Sequence, residues 1–217
     1  MIKLIILDAG NVLYNVSEKD LTRTVRRFLS KYGIKYSPKV DEEWDKRAHL
    51  VNRGKISLKE AQEKWLEGIG LNKKLQPEWR KYDIEHLASH GIKKGVKETL
   101  KKLRKQKYKL AVLSDCPHDK KLKRMILRNI KVDNFFDEIF TSYDIGFMKP
   151  ERESYLIVLN HFNVNPKESV FVSDDEDEIE GARKIGIKTI LFNKKKNDKA
   201  DFCIRRFSQI LKIVKNL

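Results

Sequence analysis

Ile2-Lys3-Leu4-Ile5-Ile6-Leu7-Asp8-Ala9-Gly10-Asn11 is the stretch on which the fold turns. Its apolar half is short and continuous, as expected of a strand buried on both faces. The turn-forming residues that follow put a carboxylate, Asp8, at the carboxyl end of that strand. The pattern repeats at 108–113, which runs into Ser114-Asp115, and at 169–172, which runs into Ser173-Asp174-Asp175; residues 187–192 have the same composition. Helical periodicity fills the intervals at 96–107, 120–130, 153–162 and 178–185. Strands alternating with helices predict an α/β fold with a Rossmann-like parallel sheet covered on both faces. Ligands of such sheets bind beyond the carboxyl ends of the strands, where three of these strands carry polar or acidic residues.

Residues 15–90 break the alternation. They hold no convincing strand and show apolar residues at helical spacing: Leu21, Val25, Phe28 and Leu29; then Trp44, Ala48 and Val51; then Leu58, Ala61, Trp65 and Leu66. Ser57 followed by Glu60 is a capping-box start for the third of these helices. The expected organisation is a core from residues 1–14 and 91–217 with an all-helical insertion from 15–90. Residues 200–204 and 207–217 read as a last short strand and a closing helix, and 194–199 as an exposed loop.

The 217 residues carry 47 Lys and Arg against 31 Asp and Glu, a net charge of +16. Such a surplus suits a polyanion, but the basic residues of 93–109 are interrupted by Val96, Leu100 and Leu103 at helical spacing, the pattern of a solvated helix face. Nucleic acid is therefore not the expected partner, and no nucleic-acid-binding signature is present. No apolar run is long enough for a membrane span or a signal-peptide core, so a cytoplasmic location is expected. Cys116 and Cys203 lack metal-site spacing and are expected to be free thiols.

Taken singly, each polar strand end has a plain explanation, since Asp, Ser and Asn cap helices and form turns. The ordered set is more specific. Leu4-Ile5-Ile6-Leu7-Asp8-Ala9-Gly10-Asn11-Val12-Leu13, Ala111-Val112-Leu113-Ser114-Asp115, Gly146-Phe147-Met148-Lys149-Pro150-Glu151 and Val170-Phe171-Val172-Ser173-Asp174-Asp175, the last continued by Glu178 to Arg183, occur in that order. Together they resemble the four motifs of the haloacid dehalogenase-like hydrolase superfamily, and the helical insertion resembles the cap domain of many members. The resemblance implies Asp8 as nucleophile, Ser114 as hydrogen-bond donor to a phosphoryl oxygen, and Lys149 as the neutralising cation. It also implies a Mg²⁺ cofactor held by Asp8, the Gly10 carbonyl and Asp174, with Asp175, Asp177 and Glu178 competing for a further acidic role. Glu178 stands where the family usually has Asp. The expected partner is a small phosphorylated metabolite, contacted by Gly10, Asn11, Ser114, Asp115 and, from the insertion, Arg53. Residues 49–55 read equally well as an exposed interhelical turn.

One position departs from the family's phosphatases, which usually place a second Asp two residues after the nucleophile as general acid and base. Here that residue is Gly10, which has no proton to give. His118 is a substitute donor to consider, against a helix-start or surface role. The Asp-x-Gly-Asn-Val form is similar both to a phosphatase branch and to the dehalogenases, whose halide leaves without a proton. Three readings follow: a Mg²⁺-dependent phosphatase, a metal-free 2-haloacid dehalogenase, or a weakly active or noncatalytic binding protein on the same fold.

Overall fold

The computed structural model describes residues 1–193 and 198–217. Its strands are β1 (Leu4–Leu7), β2 (Lys109–Ser114), β3 (Glu138–Thr141), β4 (Ser169–Ser173), β5 (Lys188–Phe192) and β6 (Phe202–Ile204). They form one sheet in the order β3-β2-β1-β4-β5-β6, and every neighbouring pair is parallel. Leu7 lies opposite Val112 on one side and Val172 on the other, so β1 is held by both neighbours. Successive strands step from β1 outward to β3 and then resume on the far side at β4, which makes the β1/β4 boundary the switch point of the sheet.

The period-two alternation of a strand divides β1 between two apolar layers. Ile5 and Leu7 join the layer under α5 (Val96–Lys105), α6 (Lys120–Asn129) and α10 (Ile210–Asn216). Leu4 and Ile6 join the opposite layer, under α8 (Arg152–Phe162) and α9 (Glu176–Lys184). All four are fully buried, which explains a continuous apolar run rather than an alternating one. The short α7 (Ser142–Ile145) follows β3 directly.

Residues 18–88 contain α1 (Glu18–Ser30), α2 (Pro38–Asn52), α3 (Leu58–Gly68) and α4 (Gln76–Ala88). Phe28, Leu29, Trp65, Leu66 and Trp79 pack into an apolar cluster separate from the two sheet layers. Trp65 also donates its indole N–H to the Val40 carbonyl at 3.0 Å, which meets the polar need of a buried indole. Ser57 caps α3 as its spacing predicts, accepting from the Glu60 amide at 3.1 Å. The α2–α3 turn returns to the sheet region, where a Cβ on Gly54, whose φ is +63°, would collide with the Tyr143 carbonyl of α7. Cys116 and Cys203 are free thiols. Among the described residues no helix is long and apolar enough to cross a membrane. Of the basic stretch 194–199 expected as a loop, residues 194–197 lie outside the described residues.

Candidate active site

Asp8, Ser114 and Asp174 stand at or just past the carboxyl ends of three adjacent strands, β1, β2 and β4, because the parallel register aligns those ends. The Asp8 amide donates to the Val172 carbonyl at 2.9 Å, one hydrogen bond beyond the ladder, which holds its backbone in line with the sheet. Lys149 reaches in from the loop between α7 and α8. Its Nζ lies 2.5 Å from Asp8 Oδ1 and 3.1 Å from Glu178 Oε1, and donates to the Leu113 carbonyl at 3.1 Å. The Lys149 side chain has no solvent exposure. Gly181 of α9 permits this loop to lie close, since a Cβ there would overlap Pro150.

Burial of that ammonium alone would favour its neutral form, but Asp8, Glu178 and Asp115 hold its pKa well above the usual lysine range. The carboxylates around it are under opposite stress. Burial pushes Glu178 up to about 7, with Asp8 adding repulsion and Lys149 only partly offsetting both. Asp115 is pushed up to about 6, again chiefly by burial. Its Oδ2 accepts from the Lys149 amide at 3.0 Å, whereas its Oδ1 is buried with no hydrogen-bond partner. More carboxylate is gathered here than Lys149 can neutralise.

Asp175 and Glu178 depart from the expected ligand set. Asp175 is the N-cap of α9, its Oδ1 accepting from the Asp177 and Glu178 amides at 2.9 and 3.1 Å. Glu178 is turned inward onto Lys149, and its Oε2 accepts from the Ser173 hydroxyl at 2.6 Å. Its extra methylene gives it the reach to span from α9 to the lysine. Asp174 is half-buried directly past the last residue of β4. Among the described residues no three or more His, Cys, Asp or Glu side chains are grouped so as to hold a metal ion. The five expected metal positions are thus not one cluster.

The other expectations resolve as follows. Gly10 follows Asp8 in the turn, its carbonyl accepting from the Val12 amide at 2.6 Å. Asn11 takes a positive φ of 53°, which Asn tolerates, and its Oδ1 accepts from the Val16 amide at 3.1 Å, so its side chain is spent on the turn. Ser114 is buried at the end of β2. Arg53 is half-buried, and its Nε is buried with no hydrogen-bond partner. It forms a bidentate pair with Glu151, Nη1 to Oε2 at 3.0 Å and Nη2 to Oε1, and so ties the α2–α3 turn to the loop that carries Lys149. His118 is not a surface residue: burial, with the nearby Lys123, Arg80 and His90, lowers its pKa to about 3. It is a neutral imidazole near pH 7 and does not supply the acid that Gly10 lacks.

Ser173, Tyr155 and Glu151 act on the site without having been singled out by sequence reasoning. Tyr155 donates its hydroxyl to the Glu178 carbonyl at 2.7 Å and steadies α9. A serine closing β4 ahead of the acidic run 174–178 carries no sign that Ser173 serves Glu178. The Arg53–Glu151 pair joins positions 98 residues apart, beyond the reach of local pattern.

The family model for haloacid dehalogenase-like hydrolases matches residues 5–192. A glyceraldehyde 3-phosphate phosphatase of Pyrococcus furiosus is 28% identical over 129 residues, covering 55% of this chain and 53% of that protein, so the match spans about half the length of that relative. One of the same description from Methanocaldococcus jannaschii is 25% identical over 236 residues, covering 100% of this chain and 99% of that protein. Among solved structures, a 2-haloacid dehalogenase from Pseudomonas syringae superposes with a TM-score of 0.81 at 22% identity, covering 100% and 99% of the two chains, a likeness of fold. With its four motifs in order at one edge of a parallel sheet and the model matched over most of its length, this chain belongs to the haloacid dehalogenase-like hydrolases.

Proposed function

We propose that the protein is a Mg²⁺-dependent phosphatase that hydrolyses a small phosphorylated metabolite through an aspartyl-phosphate on Asp8. The observation that carries the reading is the buried Lys149 ammonium 2.5 Å from Asp8 Oδ1. With Oδ1 engaged, Oδ2 is the oxygen offered to phosphorus. Its attack forms the Asp8–phosphate bond as the bond to the leaving alkoxide breaks, and water then releases phosphate and regenerates the carboxylate. Lys149 offsets the charge of the transferring group and Ser114 donates a hydrogen bond to it, both in place before reaction.

The donors present fit a hard divalent cation. Asp8, Asp174 and the Gly10 carbonyl offer only oxygen, the surplus of buried carboxylate calls for positive charge, and the orphaned Asp115 Oδ1 leaves acceptor capacity nearby. Those three residues would hold Mg²⁺, which supplies charge neutralisation and orientation of the phosphoryl group. In this reading residues 15–90 form the cap, which shapes the pocket and excludes water. The relatives described as phosphatases, including a phosphorylated carbohydrates phosphatase of Thermotoga maritima 32% identical over 96 residues, support the substrate class.

The absence of an acid at Gly10 favours one second reading: displacement of halide from a 2-haloacid, whose leaving group needs no proton, with Asp8 forming a carbon ester that water cleaves. An (S)-2-haloacid dehalogenase of Burkholderia cepacia is 33% identical over 100 residues. Phosphate release from p-nitrophenyl phosphate with Mg²⁺, its loss with chelator and its loss in Asp8→Asn, set beside chloride release from 2-chloropropionate, separates the two. Unchanged ester hydrolysis in Asp8→Asn refutes the first; halide release without ester hydrolysis establishes the second.

A further inference from the structure

A second polar site lies on the seam between the helical segment and the sheet core. A cavity of about 260 Å³ opens there, walled by Gln62, Gln76 and Arg80 from α3 and α4 and by His118, Asp119 and Tyr143 from the core. Its lining is pre-organised. Gln76 donates to Gln62 Oε1 at 2.6 Å, Gln62 donates to Asp83 Oδ2 at 3.1 Å, and Arg80 pairs with the same oxygen. Asp83 is buried, and its Oδ2 anchors this relay. Asp119, an exposed carboxylate in the lining, caps α6 with its Oδ1 through the Leu122 amide at 2.8 Å.

What remains unspent is cationic or donor-capable. His118 is 7% exposed and its Nδ1 is buried with no hydrogen-bond partner. Behind it, one turn along α6, Lys123 is 3% exposed; among the described residues it enters no ion pair, and its Nζ has the Tyr14 hydroxyl, at 3.1 Å, as its hydrogen-bond partner. An ammonium has three donors, and burying one without a carboxylate is costly unless an anion comes to it or near it. The positive end of α6 faces the same cavity, and Lys59, whose Nζ lies 3.6 Å from Glu63 Oε1 in an exposed pair, also lines it.

We infer that this cavity is a subsite for a second anionic group on the substrate, a carboxylate or a second phosphate, recognised by Arg80, His118 and the field of Lys123. The inference rests on the phosphatase reading for its location, since the cavity lies beyond β2 and β3, beside the edge that presents Asp8. It limits the substrate class to phosphate esters that carry a distal oxyanion, and it assigns their selection to α3, α4 and the β2–α6 loop rather than to Arg53.

Two matched pairs of probes test it: 3-phosphoglycerate against glycerol 3-phosphate for a carboxylate, and fructose 1,6-bisphosphate against fructose 6-phosphate for a second phosphate. The protein is expected to favour the doubly charged member of at least one pair by about tenfold or more in kcat/KM, as a charge-assisted hydrogen bond to Arg80 would give. The double variant Arg80→Gln/Asp83→Asn, which leaves no lone buried charge, should collapse that ratio, and Lys59→Gln should reduce it. Lys97→Gln, on the exposed face of α5, should not change it. Ester hydrolysis with no preference in either pair, or a ratio that survives the double variant, overturns the subsite while the phosphatase reading stands. If no ester is hydrolysed, that reading falls, and calorimetric binding of 3-phosphoglycerate decides the subsite: binding weakened tenfold or more by the double variant upholds it, and binding that is absent or unaffected refutes it.

Discussion

Replacing Lys149 by Met tests the electrostatics of the site most directly. The substitution conserves most of the volume of a side chain with no solvent exposure but removes the ammonium that Asp8 Oδ1, Glu178 Oε1 and the Leu113 carbonyl share at 2.5, 3.1 and 3.1 Å. Asp8 and Glu178 are then left facing each other at 13% and 17% side-chain exposure with no cation between them. Removing one partner of a buried ion pair costs about 3–5 kcal/mol, about a fifth or more of the stability of an ordinary domain. Urea unfolding at pH 7.5 should show that loss as a lower midpoint with an unchanged slope. At pH 5 the loss should shrink, because the two carboxylates, freed of the lysine, bind a proton between them more readily and no longer repel. Hydrolysis of p-nitrophenyl phosphate should fall by about 10²-fold or more, the usual effect of losing a fixed electrostatic donor. A loss below about 1 kcal/mol, or one of equal size at both pH values, would refute the reasoning, since it would mean that Lys149 is not what keeps those carboxylates charged.

Three further outcomes are expected. Glu178 binds its proton more tightly folded, at about 7, than unfolded near 4.5, so wild-type stability should fall as pH rises through that window, and Asp115, at about 6, should add to the fall at its lower end; Glu178→Gln should flatten the upper part in urea titrations. Gly10→Asp should raise phosphatase kcat by about 10²-fold, the low end for an added general acid; the backbone there is not left-handed and the new Cβ meets Val16 Cγ2 at 3.3 Å, a contact that a 44% exposed valine can relax. No gain in a folded Gly10→Asp protein would show that protonation of the leaving group does not limit the rate. A double-mutant cycle on Arg53→Met and Glu151→Gln should return a coupling of about 1–2 kcal/mol in thermal unfolding, and a coupling near zero would mean that the bidentate pair does not hold the α2–α3 turn.

The sheet was largely legible because most of its strands are short runs with an apolar centre bounded by polar residues, and the six-residue reading of 108–113 became β2 with a shift of one residue. β3 was not, since four residues, Glu138 to Thr141, between loops are too few to show a period, and only pairing with β2 defines them. The positions of Asp8, Ser114 and Asp174 at or just past strand ends were readable from type and order. Glu178 was read as a possible ligand because sequence shows charge but not direction; the structure turns it onto Lys149 and Ser173. The Arg53–Glu151 pair and the burial of His118 escaped the sequence for a related reason, as both depend on contacts between the helical segment and the core, which no local pattern encodes. The buried relay from Gln76 to Asp83 left no mark at all, because isolated Gln and Asp residues on amphipathic helices ordinarily belong to the solvated side.

The placement of β1 between two hydrogen-bonded neighbours makes Asp8 part of the stiffest plank in the molecule. The helices of residues 18–88, to which the proposed subsite gives recognition, pack around an apolar cluster of their own, separate from the two sheet layers. In the proposed reading such a division would let Asp8 stay fixed while the diet of the enzyme is retailored by edits to the helical layer, without disturbing the anvil on which the bond is broken.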